Sequence, residues 1–433
     1  MAVTAYLGLG SNLGDRAGSI KAALEQLDLV PGIEVVRSSQ LIETDPVGGP
    51  PQDRFLNGVA ELATTLSPQA LLSICRELER RAGRELDGPR NHPRPLDLDL
   101  LFFGDQQVDT RELVVPHPRW RDREFVTRPL KELGVDLGRF PEPESPRVIT
   151  GAAEFSAQQL AWLRGDCVIG LVPTMGALHE GHASLFRRAR RECDRVAATI
   201  FVNPKQFGEG EDLDKYPRDL ERDLAVLRSE GVDAVFAPLP AEMYSEGFCS
   251  DVAVGEEARE LEGAVRPGHF SGVATVVAKL FALSQPTRAY FGRKDAQQVA
   301  VLRRLVQDLA FPIDIRECDI VREPDGLAMS SRNAYLSTAE RAVAPVLFRA
   351  LSASVQAFGN GERDADALVA IATEMIEAQD GVDLEYLELR REGDLARLPA
   401  GPVTSGRLLV AARVGPTRLI DNMSLAEPVL PEL

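Results

Sequence analysis

The sequence predicts a multidomain chain mixing α+β and α/β architecture: a ferredoxin-like α+β domain, then a doubly wound parallel domain, then a small α+β subdomain. Three observations predict it. Residues 2–103 read in the order βαββαβ, that of a split βαβ domain. Residues 167–236 repeat short apolar strands with helical segments between them, which argues for a parallel sheet with ligands at its strand carboxyl ends. Between the two runs lies Phe140-Pro-Glu-Pro-Glu-Ser-Pro-Arg147, a Pro-rich polar segment of the kind that spaces domains.

The elements follow in order. Ala2–Leu9 is strand-like, and Asp15 to about Leu29 carries helical apolar spacing. Ile33–Ile42 and Phe55–Leu66 are β-branched or aromatic runs either side of a Gly/Pro-rich loop. Ser67-Pro68 reads as an N-cap followed by Pro at the first helical position, opening a helix to Gly83 with Leu71, Leu72, Cys75 and Leu78 inward. Leu96–Phe103 is the last strand of the first half. In the second half Cys167–Val172, Val196–Val202 and Val232–Phe236 are strands, with helices at Glu180–Cys193 and Asp219–Glu230. A helix, a strand near Asp383–Arg390 and another at Arg407–Arg413 follow residue 335. The domain limits expected are 1–140, a linker at 141–146, 147–334 and 335–433.

Composition narrows the function classes. The 433 residues carry 49 basic and 66 acidic side chains, a net charge of −17, with 44% apolar and 27% charged residues. Those fractions exclude disordered, collagenous and disulfide-miniprotein classes. The two halves are both acidic, −6 and −11 when divided at residue 145, which argues against nucleic acid as a bulk partner. No run approaches the ~18–20 apolar residues of a membrane span, so no membrane partner is expected. Met1-Ala2-Val3-Thr4 lacks a basic region of the secretory type, and the five Cys are odd in number and unpaired by motif. A cytoplasmic protein with reduced thiols is the expectation. Basic charge comes from 43 Arg and only six Lys, four of which fall between 203 and 295. The five His stand beside Pro or Gly or in turn-like contexts.

In the first half the sharpest feature is Leu96-Asp97-Leu98-Asp99-Leu100. On a strand the two Asp share a face while the Leu point inward, with Asp Cα atoms roughly 7 Å apart, two rises of about 3.3 Å. Such carboxylates can share one or two Mg²⁺ ions carrying nucleotide phosphates; a solvated strand face is the plainer reading. Arg84, Arg90 and Arg94 upstream and His117 downstream add the cations that phosphoryl chemistry uses. Gly8-Leu-Gly-Ser-Asn-Leu-Gly14 has the spacing GxGxxxG and does not fit a dinucleotide fingerprint.

Gly8–Arg16, Thr44-Asp-Pro46, Phe55-Leu-Asn57, Glu79 through Arg84, Pro93-Arg-Pro-Leu-Asp-Leu-Asp99, Pro116-His117 and Phe125-Val126 together resemble 6-hydroxymethyl-7,8-dihydropterin pyrophosphokinase over nearly the whole first half. The resemblance implies that Asp97 and Asp99 hold two Mg²⁺ bridging ATP, that Arg84 and Arg94 steady the transferred pyrophosphoryl group, and that His117 contacts ATP. Phe55 and Phe125 would sandwich the pterin, with Asn57 and Thr44 bonding its edges. Asn91-His92, Pro95 and Leu86 depart from that family's pattern.

In the second half Pro173-Thr-Met-Gly-Ala-Leu-His179-Glu-Gly-His182 follows an apolar strand and enters a helix. A helix start offers free N–H groups and positive potential to phosphate, and two His three apart can face one phosphate group. A zinc pair and a structural turn are the other readings. Arg266-Pro-Gly-His269-Phe-Ser-Gly272 opens a helix carrying Lys279, Phe291-Gly-Arg-Lys294-Asp295-Ala-Gln-Gln298 joins a turn to cation, acid and amides, and Met329-Ser330-Ser331-Arg332-Asn333 forms a polar loop. No GxxxxGK[ST] is present, which removes a simple P-loop kinase.

This constellation resembles pantothenate synthetase over about residues 147 to 433, a family related to nucleotidylyltransferases and class I aminoacyl-tRNA synthetases. The implied fold is a Rossmann-like nucleotidylyltransferase domain with a C-terminal subdomain. The implied chemistry is adenylation of pantoate by ATP, then capture of the adenylate by β-alanine, giving pantothenate, AMP and pyrophosphate. By resemblance His179, His182, Lys294, Ser330, Ser331 and Arg332 bind the triphosphate. Met175, Gly292 and Asp295 bind ATP, Asp295 at its ribose. Gln206 and Gln298 fix pantoate, Asp223 partners Mg²⁺, and Arg266 and His269 shape the site. Lys279 stands between a phosphate contact and a structural lysine. The chain is thus expected to be a bifunctional cytosolic enzyme and a homodimer, with ATP, pantoate, β-alanine and hydroxymethyldihydropterin as small-molecule partners. An alternative keeps only the ligase half active, with the first half a binding or dimer-supporting module. Another makes the second half a different adenylate-forming ligase or a nucleotidylyltransferase.

Overall fold

A computed structural model describes residues 2–46, 52–84, 93–110, 113–117, 120–121, 123–140, 146–208 and 210–427. Arg90, Leu86, Asn91, His92 and the linker at 141–145 lie outside the described residues. The chain divides into two units, Met1–Ser145 with Arg228–Gly231, and Pro146–Leu227 with Val232–Leu433.

In the first unit, β1 (Val3–Ser11) leads to α1 (Arg16–Asp28), whose first turn is closed by the Asp15 carboxylate accepting from the Gly18 amide at 2.9 Å. β2 (Ile33–Ser38), β3 (Ile42–Thr44) and β4 (Phe55–Thr64) follow, then α2 (Pro68–Arg81) and β5 (Asp97–Phe103). Ser67 caps α2 by accepting from Ala70 N at 3.2 Å with Pro68 at the first position, as the sequence predicts, while Leu72 is only half-buried. β6 (Val108–Asp109), β7 (Val114–Val115) and α3 (Glu124–Glu132) complete the unit. The sheet runs β2-β4-β1-β5, all pairs antiparallel, and β3 also pairs with β4.

The single strand expected at Ile33–Ile42 is two. A register shift falls within β2 between Val35 and Arg37, and just past its end Ser39 exchanges N–H···O bonds with Val59 through its backbone and its hydroxyl. One sheet face packs Leu7, Leu9, Leu98 and Leu100 on Ile20, Leu27, Leu71 and Cys75. The other buries Tyr6, Phe102, Trp120 and Phe140 with Val126 and Leu130 of α3, and the Phe102 and Phe140 rings stack at 3.6 Å. A bulge opposite Tyr6 and Leu7 adds Leu101, so that Leu101 and Phe102 enter the same core while Phe103 alternates to the other. With Leu98 and Leu100 committed to the helical face, Asp97 and Asp99 share the opposite one.

The second unit starts earlier than the predicted strands, with β8 (Arg147–Ile149) and α4 (Ala152–Arg164). The alternation then continues through β9 (Ile169–Thr174), α5 (Glu180–Glu192), β10 (Arg195–Ile200), α6 (Leu220–Ser229), β11 (Ala234–Phe236), α7 (Pro240–Met243), α8 (Glu262–Val265), α9 (His269–Ser284), β12 (Arg288–Gly292), α10 (Ala296–Asp308) and β13 (Asp314–Cys318). All neighbours in the sheet β13-β12-β9-β10-β11-β8 are parallel. From β9 the chain builds outward through β10 and β11, then returns to the other side of β9 with β12. The carboxyl ends of β9 and β12 therefore flank the crevice where such sheets hold ligands.

After β13 come α11 (Thr338–Val343), α12 (Val346–Gly359), α13 (Ala365–Glu377) and the antiparallel meander β14 (Val382–Arg390), β15 (Arg407–Val414), β16 (Thr417–Ser424). Leu347, Leu351, Leu368 and Ile376 of the helices pack on Leu408, Val410 and Leu419. Thr338–Gly359, which spans α11 and α12, is long and apolar enough by length and composition alone to cross a membrane. Its residues Val346, Leu347, Ala350, Leu351 and Val355 are buried in this core instead.

Candidate functional site

At the carboxyl end of β9 the chain makes a tight loop, Met175–Leu178, before α5. Gly176 has φ of 86° and Ala177 of 52°, left-handed values that are strained for alanine. The Asp223 carboxylate holds that loop: it accepts from Ala177 N at 3.0 Å and Leu178 N at 2.8 Å and is 1% exposed. Asp223 differs from the Mg²⁺ partner expected of it, because each carboxylate oxygen accepts a backbone amide in a buried setting, and burial raises its pKa. Asp223→Ala leaves two buried amides without acceptors. It is expected to lower the unfolding free energy by roughly 2–4 kcal/mol, read by urea denaturation.

His179 is the N-cap of α5. Its Nδ1 accepts from Gly181 N at 3.1 Å, and His182 Nδ1 accepts from His179 N at 3.4 Å. Two of the helix-start donors expected for phosphate are therefore taken by imidazoles. With Nδ1 an acceptor in each ring, the proton of the neutral imidazole sits on Nε2. The rings lie 4.2 Å apart. Burial, then the Lys294 charge, pushes the His179 pKa down to about 4. Burial, His179 and Lys294 push His182 down to about 3. Both are neutral donors at physiological pH.

A cavity of about 230 Å³ opens here, and it gathers eleven of the expected residues: Met175, His179, His182, Gln206, Gly292, Lys294, Asp295, Gln298, Ser330, Ser331 and Arg332. Arg266 and His269 also line it. The Gln206 side chain is oriented by Asn203, whose Nδ2 donates to Gln206 Oε1 at 3.0 Å and whose Oδ1 accepts from Tyr244 OH at 2.7 Å. This leaves the Gln206 amide nitrogen beside Met175 Sδ at 3.2 Å. His269 Nδ1 lies 2.7 Å from the Gln206 carbonyl, and Arg266 pairs with Glu211. Arg332 pairs with both carboxylate oxygens of Asp212 at 3.0 Å, and the Ser331 hydroxyl meets Tyr216 OH at 3.3 Å. A further cavity of about 630 Å³ shares Lys294, Asp295, Gln298, Ser330 and Arg332 and extends to Tyr386 and Arg418. Lys279 is not in either lining; its ammonium bonds the Met243 carbonyl beside the Phe248 ring. Its structural reading is the one the geometry favours.

In the first unit the expected residues also converge. Asp97 pairs with Arg84 and, at 3.4 Å, with Arg94. Asp99 pairs with Arg123 at 2.9 Å and has His117 Nε2 at 3.9 Å. Burial opposes ionisation of Asp99, but His117 and Arg123 outweigh it and lower its pKa. Arg94 lies over the Phe55 ring and Arg123 over Phe125, each at 5.5 Å. Asn57 Nδ2 donates to Thr44 Oγ1 at 2.7 Å. Gly10 joins the two groups: a Cβ there would stand 3.1 Å from Asn57 Oδ1 and 3.3 Å from Asp97 Cβ. The glycines of the rejected fingerprint Gly8-x-Gly10 thus lie within β1, keeping its face low beside the carboxylates. Hard carboxylate oxygens ringed by cations fit Mg²⁺ with ATP phosphates, although no group of three or more His, Cys, Asp or Glu placed to hold a metal occurs among the described residues.

Several contributors carried little local signal. Arg123 is one Arg among many. Asn203 sits in an Asn-Pro turn, a signal of conformation rather than chemistry. Glu79 lies in a quoted motif without a role; buried, it accepts from the Leu98 amide at 2.8 Å and bonds Arg84, and burial raises its pKa to about 7.

Residues 147–424 match the family model described as pantoate-beta-alanine ligase, and residues 6–135 match that of 7,8-dihydro-6-hydroxymethylpterin-pyrophosphokinase. The pantothenate synthetase of Roseiflexus castenholzii is 56% identical over 280 residues, covering 64% of this chain and 99% of its own. That of Cereibacter sphaeroides is 52% identical over 279 residues, with the same coverage. Among solved structures, pantothenate synthetase from Thermus thermophilus superposes with a TM-score of 0.61 at 48% identity over 64% of this chain and 99% of its own. Pantoate-beta-alanine ligase from Francisella tularensis, complexed with beta-gamma ATP and beta-alanine, gives 0.55 at 32% identity over 66% and 100%.

Proposed function

The chain belongs to the pantoate-beta-alanine ligase family through residues 147–424 and carries a pterin-pyrophosphokinase family domain at residues 6–135, and from that we propose that it catalyses both reactions. In the second unit the pantoate carboxylate attacks the α-phosphorus of ATP, and pyrophosphate leaves. The β-alanine amine then attacks the acyl carbon of pantoyl adenylate, releasing AMP and pantothenate. The observation that carries this reading is the cavity at the carboxyl ends of β9 and β12, which gathers eleven of the twelve residues expected there, all but Asp223.

Each residue acts by position and charge. The Nε2–H groups of His179 and His182 donate to phosphate oxygens. Lys294 and Arg332 balance charge that builds on the leaving pyrophosphate, with Ser330 and Ser331 as hydroxyl donors. Gln206, aimed by Asn203, and Gln298 hold pantoate so that its carboxylate meets phosphorus. Met175, Gly292 and Asp295 seat the nucleoside. No covalent enzyme intermediate is needed. Pantoate-dependent exchange of pyrophosphate into ATP without β-alanine, and pantothenate formation with it, tests the reading; exchange that ignores pantoate would contradict it.

The buried, neutral histidines set a pH signature. Below about 6.5 the unfolded chain takes up protons that the folded imidazoles refuse. Their contribution to stability is complete above that value and is lost as pH falls through about 4 and about 3. Adenylation is expected to be flat with pH from about 8 to about 6. An inflexion near 6.5, traced to either histidine by substitution, would contradict it.

In the first unit Asp97 and Asp99 would hold Mg²⁺, which supplies charge neutralisation to the ATP phosphates. Arg84, Arg94 and His117 orient the transferred pyrophosphoryl group. Phe55 and Phe125 stack the pterin once Arg94 and Arg123 yield their faces, and Asn57 with Thr44 reads its edge. The sheet order supports a ferredoxin-like α+β domain at 1–140, ahead of a Rossmann-like domain at 147–334 and a subdomain at 335–433. Homodimeric assembly and a cytoplasmic setting belong to the same proposal, the latter supported by five free cysteines.

A further inference from the structure

Two adjacent residues of β16, Asp421 and Asn422, are polar yet only 4% and 1% exposed. Burying an amide costs free energy unless every polar group finds a partner, and an apolar residue would serve a sheet core better. The Asn422 side chain is fully partnered, and its partners fix its orientation. Arg407, which can only donate, bonds Oδ1 at 2.6 Å, so Nδ2 faces the other way. There it donates to the carbonyls of Arg293 and Lys294, both at 2.9 Å.

Those two carbonyls belong to the peptide planes on either side of the Lys294 Cα. Holding both pins the backbone dihedrals of that residue and hence the direction in which its side chain leaves the turn. Asp421 makes a parallel connection: it pairs with Arg322 at 2.6 and 3.0 Å, and Arg322 donates to the Gly326 carbonyl at 3.0 Å. The backbone pairs again between Met329 N and Val321 O at 2.9 Å, immediately before Ser330. One strand of the C-terminal meander thus grips the bases of both cationic arms of the cavity.

We propose that Asn422 is a positioning residue for the adenylation step, aiming Lys294 at the nucleotide phosphates through the two peptide planes that flank it. This rests on the reading of Lys294 as a phosphate-binding group given above. Misplacing a charged group by about 1 Å is enough to cost a large factor in rate.

The test is Asn422→Asp in the full chain. The shape is kept and Arg407 still has an acceptor, but a carboxylate oxygen now faces two carbonyl oxygens. In pantoate-dependent ATP–pyrophosphate exchange, kcat/KM for ATP is expected to fall roughly ten- to hundredfold with a raised KM for ATP. KM for β-alanine in the complete reaction stays within about twofold. Asn422→Ser, which removes both donors without adding charge, shifts KM for ATP the same way by a smaller factor. A merely structural part would reduce the amount of active enzyme, lowering kcat with KM for ATP unchanged. That result in either folded variant overturns the proposal, as does failure of both variants to fold. A parent chain without pantoate-dependent exchange would instead overturn the reading of the site itself.

Discussion

Asp97→Ala is expected to lower ATP-dependent pyrophosphorylation of hydroxymethyldihydropterin roughly 10²–10³-fold while pantothenate formation stays within about twofold. The Asp97 carboxylate is half-buried among Arg84 and Arg94 and belongs to no apolar cluster, while Leu98 and Leu100 face the core, so its removal leaves the core intact. Arg84 keeps Glu79 as a partner, which limits the disturbance to the site. On the proposed reading, the substitution removes one of the two carboxylates that would hold Mg²⁺, together with the partner of Arg84 and Arg94. Asp97→Asn separates these roles, because an amide retains the shape and one acceptor but not the charge. It is expected to fall close to the alanine variant if charge is what matters. The measurement is AMP release from ATP with pterin present, beside pantothenate formation from the same preparation.

His179→Ala gives the reverse pattern: pantoate-dependent exchange falls roughly 10²–10³-fold and pterin pyrophosphorylation is unchanged. Two effects combine in this substitution. The Nε2–H donor disappears, and α5 loses its cap, at about 1 kcal/mol of stability. His179→Asn discriminates between them, since asparagine caps helices well but cannot place a donor where Nε2 stands. Restored thermal stability with exchange still depressed assigns the loss to the missing donor. Recovery of exchange in the asparagine variant would instead assign it to the cap.

The parts of this protein legible in sequence are those whose cause is local. Alternation at Leu96–Leu100 placed two carboxylates on one strand face, and Ser67-Pro68 marked a helix start, because both depend on residues within a few positions. The spacing of His179 and His182 told that the rings meet, but their use of Nδ1 as acceptors depends on how the chain turns at Gly176 and Ala177. Asp223 shows the limit most plainly. An acid near a phosphate site is compatible with a metal ligand, and only the fold reveals that two amides 45 and 46 residues earlier consume it. β8 is three residues long and pairs with β11 across a long interval, so no periodicity announces it. Asn422 is likewise defined by carbonyls 128 and 129 residues away.

The most direct test of two separate ATP-dependent sites in one chain is a paired assay on a single purified preparation. ATP consumption is followed with pterin alone, with pantoate and β-alanine alone, and with all substrates together. Two separate sites predict AMP release in each of the first two mixtures and an additive rate in the third, with Asp97→Ala removing only the first and His179→Ala only the second. A single substitution that silences both activities in folded protein would contradict it.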